Sequence, residues 1–490
     1  MFYQSTRGEN DKLTAAEVIK KGIASDGGLY MPENIPVINN EFIDSLCGMN
    51  YTQRAEKVLE LFLDDYKDLA DICQKAYCKD SFGDEPAPVT QAGGINFLEL
   101  WHGPTCAFKD MALQFMPLAL SEALKMTDSQ KDACILVATS GDTGKAALEG
   151  YKNLDKIKIM VFYPCDGVSK IQKLQMASQD GDNVNVCAIR GNFDDAQSGV
   201  KRIFSDKAFA AKADEEGYFL SSANSINWGR LAPQIVYYFS AYCDMINSGR
   251  IKLGDPINVC VPTGNFGNIF AGYIARMMGL NINKFICASN KNNILTDFIN
   301  TGIYDRNRPF YQTTSPSMDI LISSNLERLL YLISGSEETT ANMKALNETG
   351  RYKVSDETHA KIEKLFCGFC CDEEGTKVTI KKYFEENSYL MDTHTAVAAN
   401  CAEQYRSKTC DNTEMLVVST ASPYKFATDV LSSFGKTAKG DEFAAITALE
   451  AHTKASVPAP IAALMGKKAR FNTVIDKEQM ADEVLKFFKA

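Results

Sequence analysis

Lys109 ends the run Trp101-His102-Gly103-Pro104-Thr105-Cys106-Ala107-Phe108-Lys109 and is flanked by Ala107, Phe108 and Met111. Apolar neighbours desolvate an amine, which disfavours its charged form and favours a neutral, nucleophilic nitrogen of the kind that forms a Schiff base. The plainer alternative is a lysine that snorkels to solvent at a helix start. Pro262-Thr263-Gly264-Asn265-Phe266-Gly267-Asn268 leads straight into an apolar stretch over 269–278. Its two glycines permit close backbone approach, and successive N–H groups at a helix start suit a dianion such as phosphate; a tight turn without a ligand fits the same residues. Ala138-Thr139-Ser140-Gly141-Asp142-Thr143-Gly144-Lys145 resembles a P-loop but lacks its spacing between glycines and its Gly-Lys-Ser/Thr ending, which disfavours a nucleotide. Hydroxyls and free N–H groups there suit a carboxylate or a phosphate, and equally a residue that only caps a helix. Two more polar segments stand out, Asn224-Ser225-Ile226-Asn227-Trp228-Gly229-Arg230 and Ser419-Thr420-Ala421-Ser422. Arg230 suits a phosphate, and Thr420 suits a bound heterocycle; a surface loop and a helix cap are the bland readings.

Most of these loops follow short β-branched or apolar runs, at 97–100, 134–139, 257–261 and 415–419, and similar runs lie at 158–163, 184–189 and 285–289. Alternation with helical stretches, including 111–125 and 146–151, defines an α/β fold of parallel sheets covered by helices on both faces. Ligands in such folds sit beyond the carboxyl ends of the strands. Residues 11–80 read as helical, with apolar positions at helix spacing over 17–21 and 55–66. Element order then divides the chain into a helical N-terminal domain over 1–94, a small α/β domain with Lys109 over 95–245, and a large α/β domain over 246–490 carrying the Gly264 loop.

A chain of 490 residues has room for about three domains. Its 45% apolar and 23% charged residues exclude disordered and collagen-like classes. The 62 acidic side chains outnumber the 52 basic ones, which argues against a nucleic acid or an anionic membrane as the main partner. Charged residues from Arg7 to Lys12 give no expectation of a secretory signal, and no run of about 18 apolar residues predicts a membrane span. The 15 cysteines are irregularly spaced, the pattern of reduced thiols in a cytoplasmic protein. Cys367, Cys370 and Cys371 have metal-like spacing, yet no second Cys pair or nearby His completes a tetrahedral set, so no metal is expected.

Three anion-ready loops and an activatable lysine, without a dinucleotide or metal motif, suggest a phosphate-bearing organic cofactor anchored on a lysine; pyridoxal 5′-phosphate fits best. Nearly end to end, the chain resembles the threonine synthase family, of the long microbial and fungal type within the fold type II (tryptophan synthase β-like) pyridoxal enzymes. The resemblance rests on Tyr3-Gln4-Ser5-Thr6-Arg7-Gly8, Ser25-Asp26-Gly27-Gly28-Leu29-Tyr30 with Pro32-Glu33, and Gly103-Pro104-Thr105 with Phe108-Lys109-Asp110. Ser140-Gly141-Asp142-Thr143-Gly144, Gly264-Asn265-Phe266-Gly267-Asn268, Ser323-Ser324-Asn325-Leu326-Glu327-Arg328 and Asp392-Thr393-His394-Thr395-Ala396 follow in order. Leu326 and Asn268 stand where relatives often carry an aromatic and an acidic residue.

The resemblance implies that Lys109 anchors the cofactor and serves as acid and base. It implies that Gly264, Asn265, Phe266, Gly267 and Asn268 hold the cofactor phosphate and that Thr420 faces the ring nitrogen. Ser140, Thr143, Asn224, Ser225 and Arg230 would hold the carboxylate and phosphate of the substrate, and His394 reads as a structural histidine. The implied activity is that of a carbon–oxygen lyase, converting O-phospho-L-homoserine and water to L-threonine and phosphate at the end of threonine biosynthesis, in a monomer or homodimer. Closure of the domains over the substrate is expected, because reactive intermediates must be kept from stray water. The nearest alternative is a threonine-synthase-like phospholyase giving 2-oxobutanoate, ammonia and phosphate. A non-catalytic cofactor- or anion-binding protein is the alternative of another class.

Overall fold

Capping residues cut the N-terminal region into short helices. Thr14 and Glu17 cap Ala15–Lys21 reciprocally, and Asn50 with Gln53 does the same for Tyr51–Leu59. Asn40–Cys47, Leu69–Ala76 and Lys79–Phe82 complete this largely helical region, which also holds an antiparallel pair, Tyr3–Ser5 (β1) with Tyr30–Pro32 (β2). The computed structural model describes every residue except Asn10, Ser140, Asp166, Gly167 and Ala490, and for Asp194 its backbone alone.

Beyond this region the strands are Val89–Ala92 (β3), Ile95–Glu99 (β4), Asp132–Ala138 (β5), Ile157–Pro164 (β6), Val184–Arg190 (β7), Tyr218–Ser221 (β8), Ile257–Pro262 (β9) and Ile282–Ser289 (β10). Ile303–Asp305 (β11), Arg351–Lys353 (β12), Phe366–Cys370 (β13), Glu414–Ser419 (β14) and Val474–Asp476 (β15) follow. One sheet has the order β13-β10-β9-β14-β4-β3, parallel except for its β3 edge. The other, β15-β7-β6-β5-β8, is parallel throughout. β4 and β9 are buried along their whole length, as strands covered on both faces must be. β11 and β12 form a separate antiparallel pair.

Every run expected to be a strand is one, with ends shifted by a few residues, whereas β8, β13 and β15 are not foreshadowed by comparable apolar runs. The helix expected over 111–125 is two helices, Asp110–Leu113 and Met116–Met126. Pro117 is the reason: inside a continuous helix its ring would collide with the carbonyl of Leu113, but it is tolerated in the first turn of a new one. The helix expected over 146–151 starts earlier, as Asp142–Tyr151. The sheets also cut across the 95–245 and 246–490 division. β4 pairs with β14 in the six-stranded sheet, while β15 and the helix Met480–Phe488 close the five-stranded one. Chain order does not reveal this, since parallel strands pair through long crossovers. Among the described residues no helix is long and apolar enough to cross a membrane.

Candidate active site

The loops after β4, β5, β9 and β14 converge at Lys109. The Phe108 N–H donates to the Thr420 carbonyl at 2.8 Å, and Ala107 bridges to Ala421, so the lysine is tied to the loop after β14. Thr105 donates its N–H and hydroxyl to Asp110 at 2.8 and 2.6 Å, which fixes the turn ahead of Lys109. The Lys109 side chain is only 10% exposed. Its Nζ lies 3.1 Å from Ser317 Oγ, 3.5 Å from Asp142 Oδ2 and 4.9 Å from the Phe108 ring centre. Burial pushes the amine below the ordinary lysine range, and nearby Arg230 and Lys425 push the same way against Asp142. This is not a snorkelling lysine.

Asp142 opens its helix and faces two amines. Its Oδ1 lies 2.6 Å from Lys425 Nζ and accepts from Gln172 Nε2 at 2.9 Å, while Oδ2 faces Lys109. Burial alone would raise this carboxyl, yet Lys425 and Lys109 together hold it well below the usual carboxylate range.

The loop after β9 is shaped by its carbonyls. Ser323 Oγ donates to the Gly264 carbonyl at 2.7 Å, and the Asn325 N–H and Nδ2 donate to that of Asn265 at 3.1 and 3.0 Å. Phe266, buried and left-handed at φ 62°, turns the chain into the helix Gly267–Met278. The N–H groups of Gly264, Asn265, Phe266, Gly267 and Asn268 donate to no acceptor among the described residues, which leaves a cup of donors at a helix start. A Cβ on Gly264 would overlap the Ser317 carbonyl, so glycine is what lets this cup approach the segment that touches Lys109. The Asn268 side chain is tied down on one side. Its Oδ1 accepts from the hydroxyls of Tyr237 and Tyr238 at 2.8 and 2.6 Å, while its buried Nδ2 has no partner among the described residues and, with the backbone N–H, stays available to the cup.

The expected substrate positions divide. Arg230 is buried on the short helix Trp228–Leu231, donates to the Ala223 carbonyl at 2.7 Å and forms no ion pair among the described residues. Burial lowers its guanidinium to about 10, with nearby Tyr151 opposing, and a buried cation without a carboxylate is a ready anion site. Ser225 Oγ accepts from Asn325 Nδ2 at 2.9 Å, which joins its segment to the cup. The Asn224 N–H donates to Ser222 Oγ at 3.2 Å. Thr143 sits in the first turn of its helix, and Ser140 lies outside the described residues. The N–H groups of Gly141 and Gly144, expected to be free, instead donate to Thr139 Oγ1 at 2.9 and 3.0 Å. Thr420 is buried and caps no helix among the described residues; Ser422 caps the turn Pro423–Phe426.

Several residues escape the sequence reading. Ser317 lies in a segment without strand or helix periodicity. Its N–H donates to His394 Nε2 at 3.1 Å, which places the ring proton on Nδ1, 2.6 Å from Asp392 Oδ2. His394 therefore holds the segment against Lys109. Arg328, fully buried, donates to the carbonyls of Ser225 at 3.0 Å, Ile226 at 2.7 Å and Tyr30 at 3.2 Å. Its neighbour Glu327 takes two 2.9 Å bonds from Arg7 and a 2.7 Å bond from the Thr6 hydroxyl, so the N-terminal motif buttresses the site. Lys425 carried a findable signal, a lysine between Tyr424 and Phe426 much like Lys109 beside Phe108. Cys367 and Cys371 engage separate acceptors, Phe285 O and Asp372 O, and no metal-sized cluster occurs among the described residues.

Three family models match in order: Threonine synthase N terminus over 2–77, Pyridoxal-phosphate dependent enzyme over 89–420, and Threonine synthase, C-terminal over 395–484. Threonine synthase from Pseudomonas aeruginosa is 39% identical over 87% of this chain and 89% of its own length. The chain belongs to the threonine synthase family. Among solved threonine synthases, the PLP-bound enzyme of Brucella melitensis superposes with a TM-score of 0.88 at 36% identity, covering all of both chains. The yeast enzyme gives 0.89 at 30% identity, covering all of this chain and 98% of that one. Threonine synthase-like 1 of Homo sapiens is 40% identical over 85% of this chain, which spans 58% of that relative's length. The α/β fold and the fold type II architecture expected of a threonine synthase are thus present, and the N-terminal match contains the Thr6 and Arg7 that brace Glu327.

Proposed function

We propose that the chain is a threonine synthase that converts O-phospho-L-homoserine and water to L-threonine and phosphate with pyridoxal 5′-phosphate. One observation carries the reading: the buried Lys109 amine meets Ser317, whose carbonyl abuts Gly264 of the donor cup, and it feels the charge of a buried arginine without a carboxylate among the described residues. The residues fit the cofactor. The donors of Gly264, Asn265, Phe266, Gly267 and Asn268 suit its phosphate, Lys109 suits its aldehyde, and Thr420 offers its ring nitrogen a neutral hydroxyl.

When bound, the cofactor supplies an electron sink that acidifies carbon-bound hydrogens of the substrate. Lys109 Nζ takes and returns those protons, its desolvated nitrogen being ready to accept one. Arg230 and the helix start at Thr143 receive the two anionic groups of the substrate, with Asn224 and Ser225 alongside. Ser317 and Asp142 hold the amine in line between proton transfers. The burial of Lys109, Thr420 and Phe266 keeps bulk water away from the reacting carbons. The protein works in the cytoplasm on a small molecule, as a monomer or homodimer; the irregular spacing of its 15 cysteines supports a reducing compartment.

Borohydride reduction of the purified protein followed by peptide mass spectrometry tests the assignment, with the cofactor adduct expected on Lys109. Product analysis with O-phospho-L-homoserine tests the reaction. Threonine and phosphate are expected, whereas 2-oxobutanoate with ammonia would replace the synthase reading by the phospholyase one. An adduct on another lysine, or none, would overturn the assignment.

A further inference from the structure

Lys425 plays no part in the reaction just described, yet its side chain is completely buried. An ammonium out of water must be fully bonded to be tolerated. Lys425 Nζ meets Asp142 Oδ1 at 2.6 Å and the Thr105 carbonyl at 2.9 Å, close contacts to a carboxylate and to the turn that carries Lys109. Lys109 meets the other oxygen of the same carboxylate at the longer distance of 3.5 Å. One anion therefore stands between two amines and is held more closely by the one remote from the cup.

We propose that Lys425 is a positioning residue: it occupies one oxygen of Asp142 as a fixed ammonium, so that the other oxygen and Ser317 orient the Lys109 amine without locking it as an ammonium. The charge balance supports this. Asp142 and Lys425 cancel, so a neutral Lys109 leaves the buried trio uncharged, while a protonated Lys109 adds a charge facing Arg230. Without Lys425, a buried carboxylate would face Lys109 alone and hold its proton. The charged groups around Lys109 are Asp142 on the helix Asp142–Tyr151, Arg230 on Trp228–Leu231 and Lys425 on the turn Pro423–Phe426; Asp110, on its own helix, is bonded to Thr105. Burial, Arg230 and Lys425 all favour the neutral amine, and Asp142 alone opposes them. The inference rests on Lys109 being the cofactor anchor, but its test does not.

The test follows the titration of Lys109 in the full-length protein, freed of cofactor and checked by reconstitution with pyridoxal phosphate. Competitive acetylation across pH, quantified by mass spectrometry, gives the midpoint at residue 109, and the pH midpoint of the holoenzyme's visible absorbance gives a second reading. Lys425→Met is expected to raise the Lys109 midpoint by about one pH unit or more, Asp142→Asn to lower it, and Lys425→Arg to restore the wild-type value. Simple loosening of the site would move both single variants the same way, toward an ordinary lysine. Shifts of equal sign, or no shift in Lys425→Met, would overturn the proposal. If Lys425→Met does not fold, the Asp142→Asn and Lys425→Arg readings decide it alone, an unlowered midpoint in the former or an unrestored one in the latter refuting it. Cofactor found on another lysine would sink the functional reading while leaving this titration intact.

Discussion

Gly264→Ala is a sharp probe of the cup. The backbone at Gly264 does not adopt a left-handed conformation, so alanine brings no backbone strain of its own. The difficulty is local: the new methyl would sit nearer to the Ser317 carbonyl than the 3.0 Å that Cβ atoms respect, with Met318 Cα another 3.6 Å neighbour. Both sides of the contact are backbone, and neither is loose. Gly264 follows β9 and is pinned by Ser323, and Ser317 is pinned by His394. Relief must come from displacing one of them, at about 1–3 kcal/mol for an overpacked site. If the strain falls on the cup only when the cofactor is seated, it weakens pyridoxal phosphate binding by about 5- to 150-fold; if it falls on the unliganded chain, it lowers the melting temperature instead. Gly48→Ala is the internal control, since it lies outside the cup, has φ −82° and would bring a methyl within 4 Å of nothing. Fluorescence titration with the cofactor and thermal melting of both variants are the assays. A Gly264→Ala protein with wild-type affinity and wild-type melting would refute the reasoning.

Other outcomes follow from the same geometry. Arg230→Ala should raise KM for the phosphorylated substrate by about 10- to 100-fold, the worth of a charge-assisted bond, in steady-state assays; an unchanged KM would move the anion elsewhere. His394→Ala removes the acceptor of the Ser317 N–H and should cost about 1–3 kcal/mol of stability, read by thermal or denaturant unfolding. Asp110 is pushed up to about 6 by burial. The folded protein therefore keeps this proton after the unfolded chain has released it near pH 4, so stability falls as pH rises from about 4 to 6, by up to about 3 kcal/mol. Asp110→Asn should flatten that fall in melting scans across the window. Small-angle scattering should show compaction with a substrate analogue if the two sheets close over the site.

The parts of the site that were legible in the sequence are those where local chemistry forces local shape. Gly264 and Gly267 mark a turn because of their missing side chains, and Lys109 is marked by apolar neighbours that must be buried. Partnerships set only by the tertiary fold were not legible. Asp142 was visible within its motif, but nothing local ties it to Lys425, and the Ser317 segment has no periodicity to show that His394 presses it on Lys109. The same holds for Asn268: its place in the loop says nothing of Tyr237 and Tyr238, which hold its amide oxygen from a different helix. Seven of the fifteen strands among the described residues were readable from β-branched or apolar runs, whereas strand order was not. The pairing of β4 with β14 joins segments separated by most of the chain.

The lateness of β15 has a consequence for biogenesis. Val184–Arg190 has Val474–Asp476 as its outer neighbour, and the apolar face formed by Phe162, Cys187, Ile203 and Phe209 is covered by Met480, Val484, Phe487 and Phe488. On a ribosome, β5 to β8 emerge long before these residues exist. The growing polypeptide must carry an open strand edge and a bare greasy face through most of its translation, the situation in which nascent chains depend on chaperones to avoid sticking to one another.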